Sequence, residues 1–400
     1  MRNFFAIRLV LLATCFFIFL IQAKAQFNYD EEKVPPYTLP DVLETVNGQR
    51  VANKTLWEKA RRPEILGLFE NEVYGKTPKG YDSIRFITTN ENAAAMEGKA
   101  HLKEIKILVY NKHKSVDINL VLFTPNDVKG AAPAFLLINN RSSRNTAPAR
   151  DTLSGFWPAE MVIDKGYAIA AFQVGDAAPD NKNHYKEGVL QLYPEQVNAP
   201  NGMKAIGAWA WAASRVMDYF EQDPAIDRKR VAVVGHSRGG KTSLWAAAQD
   251  QRFAMCFSNC SGNTGAALSK RWFGETVGRI NTSFPHWFSD NYKKYNDNEA
   301  ALPVDQHMLI ALVAPRPVYA TNASKDLWAD PTGTFLAMKN AEGVYALYGM
   351  DSKLPDAPPA LNDPTVRTPL GYHNREGKHD LTPYDWTNFI RFADDYYKDK

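Results

Sequence analysis

The sequence predicts an α/β protein, a three-layer αβα sandwich around a mostly parallel central sheet. Two observations carry that prediction. Pro133 to Asn139 is a continuous apolar run bounded by polar residues, as a strand covered on both faces requires, and Tyr167 to Val174 and Arg230 to Gly235 repeat its character. Between the last two, Gly202 to Glu221 spaces its Ala, Trp, Met and Phe residues by threes and fours, the mark of an amphipathic helix. Buried strands that alternate with helices hide every apolar face only when helices cover both sides of a sheet.

Residues 1–25 read as an export signal. Arg2 and Arg8 precede an apolar run from Leu9 to Ile21, and Ala23-Lys24-Ala25 gives the small-x-small pattern cut before Gln26. The run is short for a membrane span, so a retained N-terminal anchor is the weaker alternative, and Leu12-Ala13-Thr14-Cys15 is a poor lipoprotein box. A periplasmic or secreted location is expected. Residues 26–95, rich in Pro, Asn and charge near their start, are expected to form an N-terminal extension packed on the main domain, with a helix over Leu56 to Tyr74. Residues 96–400 are then expected to form the main α/β domain. Ile105 to Tyr110 and Val116 to Phe123 alternate apolar and polar residues like a half-buried antiparallel pair. Thr242 to Ala248, Phe253 to Asn259 and Val318 to Asn322 continue the alternation of helix and strand. Thr382-Pro383 opens a last helix to about Tyr397, with a capping threonine, proline at the first helical position and Asp385 in the first turn.

Composition narrows the function classes. The 400 residues are 45% hydrophobic and 23% charged, which fits a globular chain. The formal charge of +3 falls to zero without Arg2, Arg8 and Lys24, so the mature chain lacks the basic excess that nucleic-acid binding needs. Of three cysteines, Cys15 leaves with the signal, and Cys256 and Cys260 sit four apart in an apolar stretch, which is no disulfide framework. His236, His286, His307, His373 and His379 are scattered without zinc spacing, so no metal is expected.

The chemistry is concentrated in Arg230-Val-Ala-Val-Val-Gly-His-Ser-Arg-Gly-Gly-Lys241, where Gly-x-Ser-x-Gly stands between a buried strand and a helix. In that setting the pattern is the nucleophile elbow of an α/β-hydrolase fold: the turn is so tight that Gly235 and Gly239 keep backbone out of the way while Ser237 projects above the sheet. Its neighbours' free N–H groups at the helix start can stabilise an oxyanion. A serine needs a base, and in this fold the acid and then the histidine follow it in the chain. His379, just before the last helix, is the expected base; His307 and His286 read as structural, and His373 is a minor rival. For the acid, the strand that begins at Pro317 is followed by Asp326, placed to orient an imidazolium, whereas Asp330 before Pro331 reads as a turn cap.

Several blocks together make a more specific likeness. Gly235-His-Ser-Arg-Gly-Gly-Lys-Thr-Ser-Leu-Trp245, Ser261-Gly-Asn-Thr-Gly-Ala-Ala-Leu-Ser-Lys-Arg271, Asp305-Gln-His-Met-Leu309, Ala314-Pro-Arg-Pro317 and Asp326-Leu-Trp-Ala-Asp-Pro331 resemble the bacterial branch of the glucuronoyl esterases, carbohydrate esterase family fifteen. The likeness spans roughly Pro133 to the C-terminus. It implies a serine esterase acting on esters of glucuronic or 4-O-methyl-glucuronic acid, as in lignin–glucuronoxylan linkages, with no cofactor and as a monomer. It further implies that Arg238 helps build the oxyanion hole, that Lys241 and Glu275 bind sugar hydroxyls, and that Trp328 faces the sugar's C–H side. Many relatives carry a glutamate as triad acid where this chain has Cys260, in Asn259-Cys260-Ser261-Gly262. A thiol cannot replace a carboxylate there, so the triad must rest on Asp326. Two alternatives stay open: a carboxylesterase for acetyl or feruloyl groups on plant polysaccharide, and a carbohydrate-binding protein that keeps the elbow for structure alone.

Overall fold

A computed structural model describes residues 27–398; the expected export signal, residues 1–25, lies outside the described residues. Nine strands form one sheet, in the order β1-β2-β3-β5-β4-β6-β7-β8-β9. They are β1 Ser83–Ala95, β2 Ala100–Asn111, β3 Lys114–Pro125, β4 Ala132–Asn139, β5 Ala168–Gln173, β6 Ile226–His236, β7 Met255–Asn259, β8 Val318–Ala323 and β9 Leu370–Arg375. From β5 through to β9 every neighbouring pair is parallel. The first three strands form an antiparallel meander that joins the rest through β3 and β5.

Central strands carry apolar side chains on both faces because helices cover both. Along β4, Leu136 and Ile138 point into one cluster while Phe135 and Leu137 point into another. The first cluster also contains buried residues of α1 Arg62–Phe69, α2 Ala205–Phe220, α3 Arg238–Gln249 and α4 Pro331–Ala346. The second is closed by Ala159–Ile163 and by α5 Pro383–Tyr397. This is the three-layer sandwich with the mostly parallel sheet that the buried runs predict. In α2, thirteen of sixteen residues are buried, so the helix is a core layer and its polar stripe is narrow. Trp57, Trp209 and Trp245 are fully buried against that face; truncating a side chain of this kind to Ala costs about 3–5 kcal/mol.

The segment between the export signal and the antiparallel strands runs helically from Lys54 to Tyr74 and then enters the sheet as β1. The solvent-exposed middle of β1, Thr88 to Ala94, has no apolar alternation, so nothing in its sequence advertises a strand. At the other end of the chain Thr382 caps α5 in a capping box with Asp385, and Pro383 is the first helical residue.

Candidate active site

The elbow follows from chain geometry. β6 ends at His236, α3 begins at Arg238, and Ser237 between them has φ 57° and ψ −126°. A side chain at that left-handed φ is strained. The conformation is held by backbone bonds: Ser237 N–H donates to the Asn259 carbonyl at 2.8 Å, and Ser237's own carbonyl accepts from Gly240 and Lys241. Gly235 is obligatory, since a Cβ there would lie 1.9 Å from the Gly239 carbonyl oxygen. At the start of α3 the first N–H groups have no acceptor within the helix.

Asp326 and His379 come from neighbouring strand ends. Asp326 lies three residues past β8, with its N–H bonded to the Ala323 carbonyl at 2.9 Å. His379 lies in the loop after β9, and that loop is laced to the aspartate's loop by Ser324 N–H to the Arg375 carbonyl, 2.8 Å, and Lys325 N–H to the Gly377 carbonyl, 2.9 Å. The buried Arg375 also holds the Lys378 and Asp380 carbonyls at 3.0 and 2.7 Å. The result is a bond of 2.5 Å between His379 Nδ1 and Asp326 Oδ2, with the aspartate buried and the imidazole open to solvent on one side. A carboxylate on Nδ1 leaves Nε2 as the basic nitrogen.

Around this pair lie side chains whose roles the sequence did not disclose. His236 packs its ring 4.5 Å from that of His379. Arg141, just past β4, donates to His236 Nε2 at 3.2 Å. A guanidinium only donates, so Nε2 accepts and the His236 proton sits on Nδ1, where it meets Asn259 Oδ1 at 2.5 Å. Burial, and after it the neighbouring His379, hold His236 well below the ordinary histidine range, so it is neutral. Arg141 also reaches Asp380 at 2.6 Å and thereby ties β6, through His236, to the loop that carries His379. No spacing rule links residues 141, 236 and 380, which is why the sequence is silent about them.

Arg238 is fixed by Asp180, whose Oδ2 is 2.5 Å from Nε, and by the Asn140 carbonyl, 3.0 Å from Nη2. Burial acts to raise the Asp180 carboxyl, but the His286 bond and the Arg238 charge outweigh it and hold it below the usual range. His286 is thus a partner of Asp180, at 2.9 Å. His373 is buried between Asp385 and the Tyr319 hydroxyl, and His307 is bonded to the Pro40 carbonyl. Asp330 caps α4 through Gly333 N–H and pairs with the buried Arg271 at 2.9 Å.

Lys241 differs from the expectation of a flexible ammonium ready for sugar hydroxyls. It is buried, and its three protons go to the Ser261 carbonyl at 2.7 Å, the Asn263 carbonyl, and Glu275 Oε2 at 2.6 Å. Glu275 is itself held by its backbone to Trp328, N–H to carbonyl at 3.0 Å, so the lysine, the glutamate and the tryptophan form one connected unit next to Asp326. Cys260 is a free, buried thiol, and burial first, then the charge of Asp326, push it well above its ordinary range. Among the described residues, the one group of His, Cys, Asp and Glu side chains close enough to share an ion is Cys260, Asp326 and His379, their donor atoms within 4.8 Å of one another.

A family profile described as glucuronyl esterase, fungi, matches residues 107–349, more than half the chain. The chain belongs to the glucuronoyl esterase family. It is a carboxylic ester hydrolase on the α/β-hydrolase fold. Carbohydrate esterase MZ0003, from an unknown prokaryotic organism, is 44% identical, over 92% of this chain and 91% of its own length. Among solved structures, a glucuronoyl esterase from Solibacter usitatus is 38% identical with a TM-score of 0.87, over 92% of this chain and 100% of the other. A promiscuous esterase of carbohydrate esterase family fifteen from a marine bacterial metagenome is 42% identical with a TM-score of 0.84, at the same coverage.

Proposed function

We propose that this glucuronoyl esterase hydrolyses esters of glucuronic and 4-O-methyl-glucuronic acid through Ser237, His379 and Asp326, with an acyl-enzyme intermediate. The observation that carries the reading is the Asp326–His379 bond, with the His379 ring 4.5 Å from that of His236, the residue before the strained Ser237. His379 Nε2 takes the Ser237 proton as Oγ attacks the ester carbonyl. Charge builds on the carbonyl oxygen, facing the first N–H groups of α3 and the Arg238 guanidinium. Imidazolium then returns the proton to the departing alcohol. Water attacks the acyl-serine with the same imidazole as base, which releases the uronic acid and restores the serine. Asp326 stays ionised throughout and holds Nδ1–H in place.

On this reading Glu275 accepts from sugar hydroxyls, Trp328 covers the sugar's apolar side, and Lys241 orients Glu275. The ammonium reaches a hydroxyl itself only by exchanging one of its two carbonyl partners. The natural substrate on this reading is the ester between glucuronoxylan and a lignin alcohol, met by a monomer exported to the periplasm or beyond. No helix among the described residues is long and apolar enough to cross a membrane.

Steady-state kinetics on methyl and benzyl glucuronate, with and without the 4-O-methyl group, test reaction and pocket together. Hydrolysis of these esters with little action on acetylated xylan is expected. Preference for acetylated or feruloylated polysaccharide overturns the uronate reading. Absence of Ser237 labelling by a fluorophosphonate probe overturns the serine mechanism.

A further inference from the structure

Seven large apolar side chains are exposed among the described residues; two of them, Phe27 and Tyr29, lie ring to ring beside Trp328, and a third, Leu327, is that tryptophan's neighbour in the chain. Phe27 sets its ring against Trp328 in an edge-to-face contact with centroids 5.0 Å apart, Tyr29 packs likewise on Phe273 at 6.3 Å, and Leu327 directly precedes Trp328. Exposed aromatic residues that touch each other at the lip of a site, while others of the same size are buried, mark a surface kept open for a ligand.

The segment that carries them is firmly tied down. Gly274 N–H donates to the Asn28 carbonyl at 2.8 Å, and Glu31 takes a bond of 2.6 Å from the buried Arg271. Asn28 and Asp30 turn the chain by accepting from the N–H groups of Asp30 and Glu32. These anchors leave the rings at 27 and 29 facing outward. Arg279 lays its guanidinium over Phe27, 5.4 Å from the ring centroid, and is exposed. Burial, and after it the charge of Asp326, raise the Tyr29 phenol above its ordinary range, which puts that ring within electrostatic reach of the site.

We propose that Phe27, Tyr29 and Arg279 form a second saccharide subsite, which holds the sugar chain to which the uronic acid is attached. The inference rests on the uronate pocket of the preceding section and extends it. Two features favour a saccharide over the alcohol of the ester. The patch is continuous with Trp328, the ring assigned to the uronate's apolar side, so it receives what lies beyond the sugar on that side. It also offers Arg279 and the Tyr29 hydroxyl as donors among its rings. Pyranose units need that mixture of apolar face and hydrogen-bond donors, and an aryl group does not.

The experiment compares three methyl or benzyl esters on the purified protein: methyl glucuronate, benzyl glucuronate, and the methyl ester of a uronic acid joined to a short xylo-oligosaccharide. The quantity read is the ratio of kcat/KM on each larger ester to that on methyl glucuronate, which a general folding defect does not move. Wild type is expected to favour the xylo-oligosaccharide ester. In Phe27→Ala/Tyr29→Ala that ratio is expected to fall about tenfold, and in Arg279→Met by a smaller factor. An unchanged ratio overturns the subsite. So does a fall confined to benzyl glucuronate, which would put the patch on the alcohol side. Wild-type protein inactive on all three esters sinks the reading of the pocket itself, and this subsite with it.

Discussion

Asp326 Oδ2 lies 2.5 Å from His379 Nδ1, and the Cys260 sulfur stands within 4.8 Å of both donor atoms. The carboxylate and the thiol thus flank the same imidazole, and burial, then the charge of Asp326, push the thiol well above its ordinary range. Asp326→Asn is expected to lower kcat by about 10⁴, as loss of a triad carboxylate does, with little change in melting temperature. Cys260→Ala is expected to retain most turnover. Near-normal kcat in Asp326→Asn would remove the aspartate from the mechanism.

Lys241 and Glu275 are both buried, and each is the other's charged partner. Removing one leaves an uncompensated buried charge, so Glu275→Ala is expected to cost about 3–5 kcal/mol in urea unfolding. Replacing both, as Lys241→Met/Glu275→Leu, should recover part of that loss while activity stays low. A double variant less stable than Glu275→Ala would show that the pair supports the fold beyond its own charges.

Asp330 and Asp326 are four residues apart and serve different ends. Asp330→Ala strips Arg271 of its buried partner and α4 of its cap. A stability loss of about 3–5 kcal/mol from the ion pair, and ~1 more from the cap, is expected. Residual folded enzyme should keep its kcat. A fall in kcat without loss of stability would instead place Asp330 in the chemistry.

Buried neutral histidines give the fold an acid limit. His236 and His307 are both pushed below the ordinary value near 6.5, chiefly by burial. The unfolded chain therefore binds more protons below about pH 6.5, so stability is complete above that pH and is lost as pH falls toward the folded-state values. Each such histidine gives a slope of about 1.4 kcal/mol per pH unit. Asp330, raised to about 6 by burial against the pull of Arg271, acts in the opposite direction between about pH 4 and 6. Comparison with His236→Gln isolates the histidine: unfolding free energies of the two proteins should converge as pH is lowered from 7 to 5. Parallel curves would mean that His236 is not neutral in the fold.

Much of this architecture is legible in the sequence because it rests on local chemistry. The two-sided burial of β4 to β8 writes itself as apolar runs, the elbow as glycines around a serine, and the last helix as its cap. Asp326 is found by its place after a strand, and His379 by its place just before the last helix. What stays hidden is of two kinds. β1 offers solvent an edge of Thr, Asn and Glu, and a strand held by its neighbour's backbone needs no apolar pattern. Arg141, Asp180 and His236 act through contacts made only once the sheet has formed, and those of Arg141 with His236 and Asp380, and of Asp180 with His286, join residues 95 to 239 apart in the chain. Lys241 is instructive in another way: its position after the elbow suggests a donor to substrate, and only its three partners reveal that its protons are already taken.

The left-handed φ of Ser237 puts the protein's economy of stability in tension with its chemistry. Glycine adopts that dihedral freely, so Ser237→Gly should melt at a higher temperature than the wild type while losing all turnover, a gain bounded by the 1–3 kcal/mol, roughly, that such backbone strain stores. Folding alone would therefore favour discarding the hydroxyl, and its presence at a position where it weakens the native state accords with the role proposed for it in the reaction.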